Sequence, residues 1–129
     1  MNIPDFKQYA ELADRTTSTG YQGDNADLIH GVLGASSEVG ELADQVKRFM
    51  YYGKPLDTVN LCEEVGDVLW YLALIAKSSG FTLQQSAERN IAKLMVRFPG
   101  QFSNEAALVR DLLAERASLE TKVQDAEMV

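Results

Sequence analysis

The sequence holds one cysteine, one tryptophan, one histidine and three prolines among 129 residues. A lone cysteine allows no internal disulfide and no thiolate metal cage, so nothing points to an oxidising compartment. Cys62 reads instead as a small core residue. A lone histidine, His30, rules out zinc chemistry of the HExxH type, which needs two. It also rules out a ferritin-like di-iron site built on paired Glu-x-x-His motifs, and the residue three before His30 is Asp27. The opening stretch MNIPDFKQYAELADR is polar and carries no apolar signal core. No apolar run reaches the roughly 18 residues that a membrane span requires. Basic residues are scarce too: 12 Lys and Arg face 19 Asp and Glu, a net charge of −7. Such a surface repels phosphate backbones and anionic lipid, which argues against nucleic acid or membrane as a partner. The expectation is a cytoplasmic protein of one domain, residues 1–129.

Sustained period-two alternation is absent as well, so no strand is expected and the fold class is all-α. Pro4 suits the first turn of a helix over Asp5–Arg15, where Phe6, Tyr9, Leu12 and Ala13 keep helical spacing. Thr16–Gly23 is a Thr/Ser/Gly loop. Asp24 or Asn25 can cap a long helix from about Ala26 to Tyr52, stopped by Gly53. A third helix runs from Leu56 or Asp57 to Ser79, and a fourth covers about Thr82–Arg97 before Phe98-Pro99-Gly100. Ser103 or Asn104 caps a fifth, about Glu105–Glu127, with Leu108, Leu112, Leu119 and Val123 as its packing stripe.

Glu38-Val39-Gly40-Glu41 and Glu64-Val65-Gly66-Asp67 repeat one pattern at an offset of 26 residues. A glycine inside a helix costs about 1 kcal/mol relative to alanine. Its presence in both motifs predicts close approach of two helix backbones at Gly40 and Gly66. Residues three or four apart share a helix face, so Glu38 and Glu41 point one way, as do Glu64 and Asp67. On the third helix, Asn60, Glu64, Asp67 and Tyr71 form one polar stripe in an otherwise apolar segment. Converging carboxylates without basic partners repel one another, and a divalent cation resolves that repulsion. Mg²⁺ is the natural choice, being hard and oxygen-seeking, with Mn²⁺ a possible substitute. Two separate solvated acidic faces would give the same letters.

Three runs resemble a known family: Glu38-Val39-Gly40-Glu41-Leu42-Ala43, Tyr52-Gly53-Lys54-Pro55, and Glu63 through Leu72. Together they are similar to MazG-like nucleotide pyrophosphohydrolases of the all-α NTP pyrophosphatase superfamily. The family signature is ExxE, a spacer, then ExxD; here the spacer is the 22 residues from 42 to 63. The resemblance covers about residues 26–100, leaving 101–129 as a C-terminal helix outside it. It implies a bundle of about five helices with a four-helix core completed by oligomerisation, as a homodimer or homotetramer. It also implies Mg²⁺-dependent hydrolysis of a nucleoside triphosphate to monophosphate and pyrophosphate, in nucleotide-pool control or house-cleaning. Glu38, Glu41, Glu64 and Asp67 map onto the metal-binding positions, and Glu38 or Glu41 is the candidate to activate water.

Asn90, Lys93 and Arg97 share a face of the fourth helix and resemble the basic residues that meet the phosphate tail. Lys47, Arg48 and Lys54 are further candidates. His30 lies eleven residues before Glu41, about three turns along nearly the same face, within reach of base or sugar. Tyr71 extends the acidic stripe by one turn toward the same groups. Glu63 can support the ligands from behind, while Trp70 and Phe49 read as core or interface residues. A pyrimidine-specific dUTP or dCTP pyrophosphatase is the alternative within the enzyme class. A non-catalytic helical dimer binding nucleotides or a protein partner is the alternative outside it.

Overall fold

The computed structural model describes residues 2–3 and 5–127, with side-chain surroundings as far as residue 120. Pro4 and the Val123 side chain therefore lie outside the described residues. Among the described residues six helices follow one another: α1 (Phe6–Asp14), α2 (Ala26–Tyr52), α3 (Thr58–Ser78), α4 (Leu83–Arg97), α5 (Asn104–Leu108) and α6 (Leu112–Glu127). No strand occurs among the described residues, so the all-α expectation holds. Among them, no helix is long and apolar enough to cross a membrane.

The chain divides into two compact units, Met1–Leu83 and Gln84–Val129. In the first, α2 packs along α3 and α1 packs on α3. Asp5 caps α1 by accepting from the Gln8 amide at 2.8 Å. Asp57 caps α3 through the Val59 and Asn60 amides, both at 3.1 Å. The α2 start is different. Asn25 adopts a left-handed backbone, φ 59°, and makes no side-chain cap. Asparagine tolerates that conformation, so it serves as a bend rather than as a hydrogen-bonding cap. Gly53 ends the helix in the same region, φ 61°.

The α2–α3 hairpin is antiparallel. A Cβ at Gly31 would meet Ile75, a Cβ at Gly34 would meet the Tyr71 ring, and Gln45 bonds to Asn60. The facing stripes are therefore Gly31, Gly34, Glu38, Glu41 and Gln45 on α2 against Asn60, Glu64, Asp67, Tyr71 and Ile75 on α3. Close approach occurs at Gly31 and Gly34, and nothing lies within 4 Å of a Cβ built on Gly40 or Gly66. The expected approach at the two motif glycines is corrected accordingly. Neither glycine lies on the facing stripes, so neither points at the other helix of the hairpin.

This polar seam turns apolar side chains outward. Val39, Val46, Phe49 and Met50 of α2 are exposed, and so are Val59, Val65 and Leu72 of α3. Cys62 is exposed too, against its expected place in the core, because it lies away from the stripe that faces α2. Phe49 likewise is no core residue of this chain.

In the second unit, the expected fifth helix is two helices. Ser103 caps α5 through the Ala106 amide at 3.1 Å. The chain then breaks at Val109 and Arg110, and Asp111 caps α6 through the Ala114 amide at 2.9 Å. An aspartate competes for nearby amides and so favours a new helix start over continuation. The break also undoes the expected apolar stripe, leaving Leu108 84% and Leu112 61% exposed.

Candidate metal centre

Glu38, Glu41 and Glu64 each bring one carboxylate oxygen to within 4.8 Å of the others. They lie in the α2–α3 seam between the Gly34–Tyr71 and Gln45–Asn60 contacts, where helical spacing points all three inward. Glu64 is buried, 7% exposed, Glu38 is half-buried and Glu41 is open to solvent. Burying an ionised carboxylate is unfavourable unless hydrogen bonds or a cation compensate. Asn60 supplies one such bond, donating from Nδ2 to Glu64 Oε1 at 2.9 Å. Gln45 Nε2 donates in turn to Asn60 Oδ1, which fixes the amide so that its NH₂ faces Glu64. Glu63 is exposed and sits 3.4 Å from the same Asn60 nitrogen.

Asp67 is exposed and outside the trio, yet its charge reaches both Glu38 and Tyr71. Glu38 has its pKa raised above the ordinary value, first by desolvation and then by the charge of Glu41. The neighbouring Glu64 carboxylate and the Asp67 charge push it the same way. All-oxygen, anionic and mutually repelling donors fit a hard divalent cation, which would relieve their repulsion.

The cations expected near phosphates are mostly engaged. Lys47 and Arg48 both pair with Asp44, at 2.8 and 2.6 Å. Asn90, Lys93 and Arg97 belong to the second unit, on α4. Arg97 is held by the buried Glu115 carboxylate, Nε to Oε1 at 2.9 Å and Nη2 to Oε2 at 2.6 Å. Arg89 stands four residues before Lys93 on the same face, and its buried Nε has no hydrogen-bond partner. Its spacing was the sequence signal for it, since Arg89, Lys93 and Arg97 recur every four residues.

Tyr71 and His30 meet in an aromatic group beside the carboxylates. The rings of His30 and Tyr71 are edge to face, 5.4 Å apart, and Tyr21 lies 4.6 Å from His30. Burial and the nearby Glu38 charge raise the Tyr71 pKa. His30 Nε2 is 3.5 Å from the Tyr21 hydroxyl, while its buried Nδ1 has no partner. Trp70 stacks edge-on to Tyr71 and donates to Thr16 Oγ1 at 2.8 Å and the Ala13 carbonyl at 3.3 Å. Tyr21 and Tyr9 escape sequence reasoning. Tyr21 sits in a loop without periodicity, and Tyr9 reads as an ordinary apolar position of α1. Tyr9 donates to the Gly66 carbonyl at 3.4 Å, and burial and the Asp67 charge raise its pKa.

The profile of the MazG nucleotide pyrophosphohydrolase domain matches residues 31–102. That range contains both carboxylate pairs, Lys93 and Arg97, and excludes α1, Tyr21, His30 and α6. The chain is also similar to the "Gene 37 protein" of Mycobacterium phage L5, 32% identical over 81 residues, covering 57% of this chain and 71% of that protein. No solved structure matches. With ExxE and ExxD on facing helices and the domain profile spanning them, the chain belongs to the MazG nucleotide pyrophosphohydrolase family.

Proposed function

We propose that the protein hydrolyses nucleoside triphosphates to a monophosphate and pyrophosphate with Mg²⁺, in nucleotide-pool control or house-cleaning. The observation that carries this reading is the Glu38–Glu41–Glu64 trio in the seam of a MazG-family hairpin. With Asp67 these residues would hold the ion, which supplies charge neutralisation for the phosphate oxygens and the leaving pyrophosphate. Glu41 is the most accessible of the trio and Glu38 is half-buried beside it. A carboxylate of this pair orients the attacking water and accepts its proton. Asn60 keeps the buried Glu64 oriented throughout. Lys93, Arg97 and Asn90 contact the phosphate tail, and Tyr71 and His30 meet the sugar or base.

The exposed apolar residues of α2 and α3 favour assembly into a homodimer or homotetramer, since a face of this kind is normally covered. Closing a four-helix core between copies would bury Val39, Val46, Phe49 and Met50 together.

A panel assay tests the activity. Each standard NTP and dNTP, with dUTP, is incubated with and without Mg²⁺ while pyrophosphate and orthophosphate are measured separately. Metal-dependent release of pyrophosphate from several nucleotides is expected. Restriction to dUTP or dCTP would move the assignment to a pyrimidine-specific enzyme. No product from any nucleotide would leave a non-catalytic binding module. Glu41→Gln is expected to abolish hydrolysis while preserving the helical circular-dichroism signal, and unchanged turnover would overturn the site assignment.

A further inference from the structure

Glu115 is the most buried charged residue described, 3% exposed, and it lies thirteen positions beyond the end of the family match. Two arginines grip it. Arg97 donates through Nε and Nη2 at 2.9 and 2.6 Å, and Arg110 through the same two atoms at 3.3 and 2.6 Å. All of the carboxylate's bonding capacity is met from two sides. Such bidentate, charge-assisted pairs fix a guanidinium in orientation as well as in place.

We infer that Glu115 is a positioning residue for Arg97, holding it to receive the triphosphate of the substrate. The inference rests on the phosphate role given to Arg97 above. A guanidinium has five N–H donors in a planar fork. Glu115 takes the edge formed by Nε and one Nη2 hydrogen, so a phosphate would meet the other edge, of Nη1 and Nη2. Arg97 alone with Glu115 would be a neutral pair with little attraction for an anion. Arg110 changes that balance, because two guanidiniums on one carboxylate carry a net positive charge. The break between α5 and α6 has its use here: it places Arg110 and Glu115 five residues apart on one carboxylate–guanidinium contact instead of on separate faces of a continuous helix. The segment after the family domain thereby equips a residue inside it.

Steady-state kinetics on the full chain test this, with Mg²⁺ and the best nucleotide from the panel, well below every variant's melting temperature. Glu115→Gln is expected to raise KM on the order of tenfold while kcat stays within about twofold, because the lost contact orients binding and not chemistry. Arg97→Ala raises KM as well, and the double variant is expected to match Arg97→Ala alone, since Glu115 acts only through Arg97. Glu115→Asp keeps the charge and should recover part of the affinity. Should Glu115→Gln fold poorly, Arg110→Gln leaves the Arg97–Glu115 pair intact and should still raise KM, by a smaller factor.

A normal KM in Glu115→Gln beside a raised KM in Arg97→Ala would overturn the positioning role and leave the phosphate role of Arg97 standing. Additive effects in the double variant would reduce Glu115 to a structural residue. A lowered KM in Glu115→Gln would show that the carboxylate competes with phosphate, contrary to the inference. A normal KM in Arg97→Ala would remove the phosphate role itself, and the inference with it.

Discussion

Gly34 of α2 lies directly against the phenol ring of Tyr71 on α3, where an added Cβ would fall 2.1 Å from the ring. That contact sets how closely the two helices approach beside the carboxylates. Gly34→Ala gains about 1 kcal/mol of helix propensity, but forcing the ring aside costs about 1–3 kcal/mol. The net expectation is a destabilised protein with a weakened near-ultraviolet circular-dichroism signal, as Tyr71 loses its place against His30 and Trp70. Gly40→Ala is the control. Nothing stands within 4 Å of its Cβ, so it should raise the melting temperature. Destabilisation by Gly40→Ala and tolerance of Gly34→Ala would reverse the assignment of the close approach.

Metal binding and stability should pull Glu38 in opposite directions. Its pKa is raised because desolvation and the Glu41 charge both disfavour the ionised form. A carboxylate whose native pKa lies above its unfolded value takes up protons more readily when folded, so its ionisation at neutral pH opposes folding. Glu38→Gln should therefore melt at a higher temperature than the wild type in EDTA. Added Mg²⁺ should raise the wild-type melting temperature and move the variant much less, with hydrolysis down about 100-fold or more. Equal Mg²⁺ shifts in both proteins would remove Glu38 from the ion's ligands.

Much of this arrangement is legible before any coordinates. The carboxylate spacing places Glu38, Glu41 and Glu64 on facing stripes because helix periodicity is local and strict. Glycine and proline punctuation likewise gives the helix limits to within a residue or two. What the sequence leaves open depends on contacts between distant segments. Gly31 and Gly34 look no different from Gly40 and Gly66, yet only the first pair meets a bulky neighbour across the seam. Cys62 reads as a core residue by its type alone, but the seam draws the polar stripe inward and turns Cys62 out. The helix break at Arg110 carries no glycine or proline, and it rests on Asp111 accepting from the Ala114 amide and on Glu115 meeting Arg97 from another helix.

Polar contacts help fasten the first helix and the turn after it to the hairpin. Trp70 donates to Thr16 and to the Ala13 carbonyl, Lys77 pairs with Asp14, and Tyr9 reaches the Gly66 carbonyl. Trp70→Phe keeps most of the ring's packing and deletes its donor, at about 1 kcal/mol. The expected result is faster hydrogen exchange in α1 and at Thr16, with α2 and α3 protected as before. Uniform loss of protection across all three helices would mean that Trp70 is a core residue first.

Acid stability should depend on Glu115. Arg97 and Arg110 hold its pKa far below the ordinary value of 4.5. A carboxylate depressed in the native state contributes its full stabilisation above the unfolded pKa and loses it progressively as pH falls toward the native one. The wild type should therefore lose melting temperature steeply below about pH 4.5, where unfolded Glu115 takes up a proton that the folded protein refuses. Glu115→Gln has no proton to take up at this position. It should melt lower than the wild type at pH 7, where it leaves two guanidiniums facing each other without their carboxylate, and the gap should narrow on acidification. Melting curves recorded from pH 7 to pH 3 decide the matter. A gap that stays constant across that range would mean that the contact stabilises through packing, and that the two arginines do not hold Glu115 in its charged form.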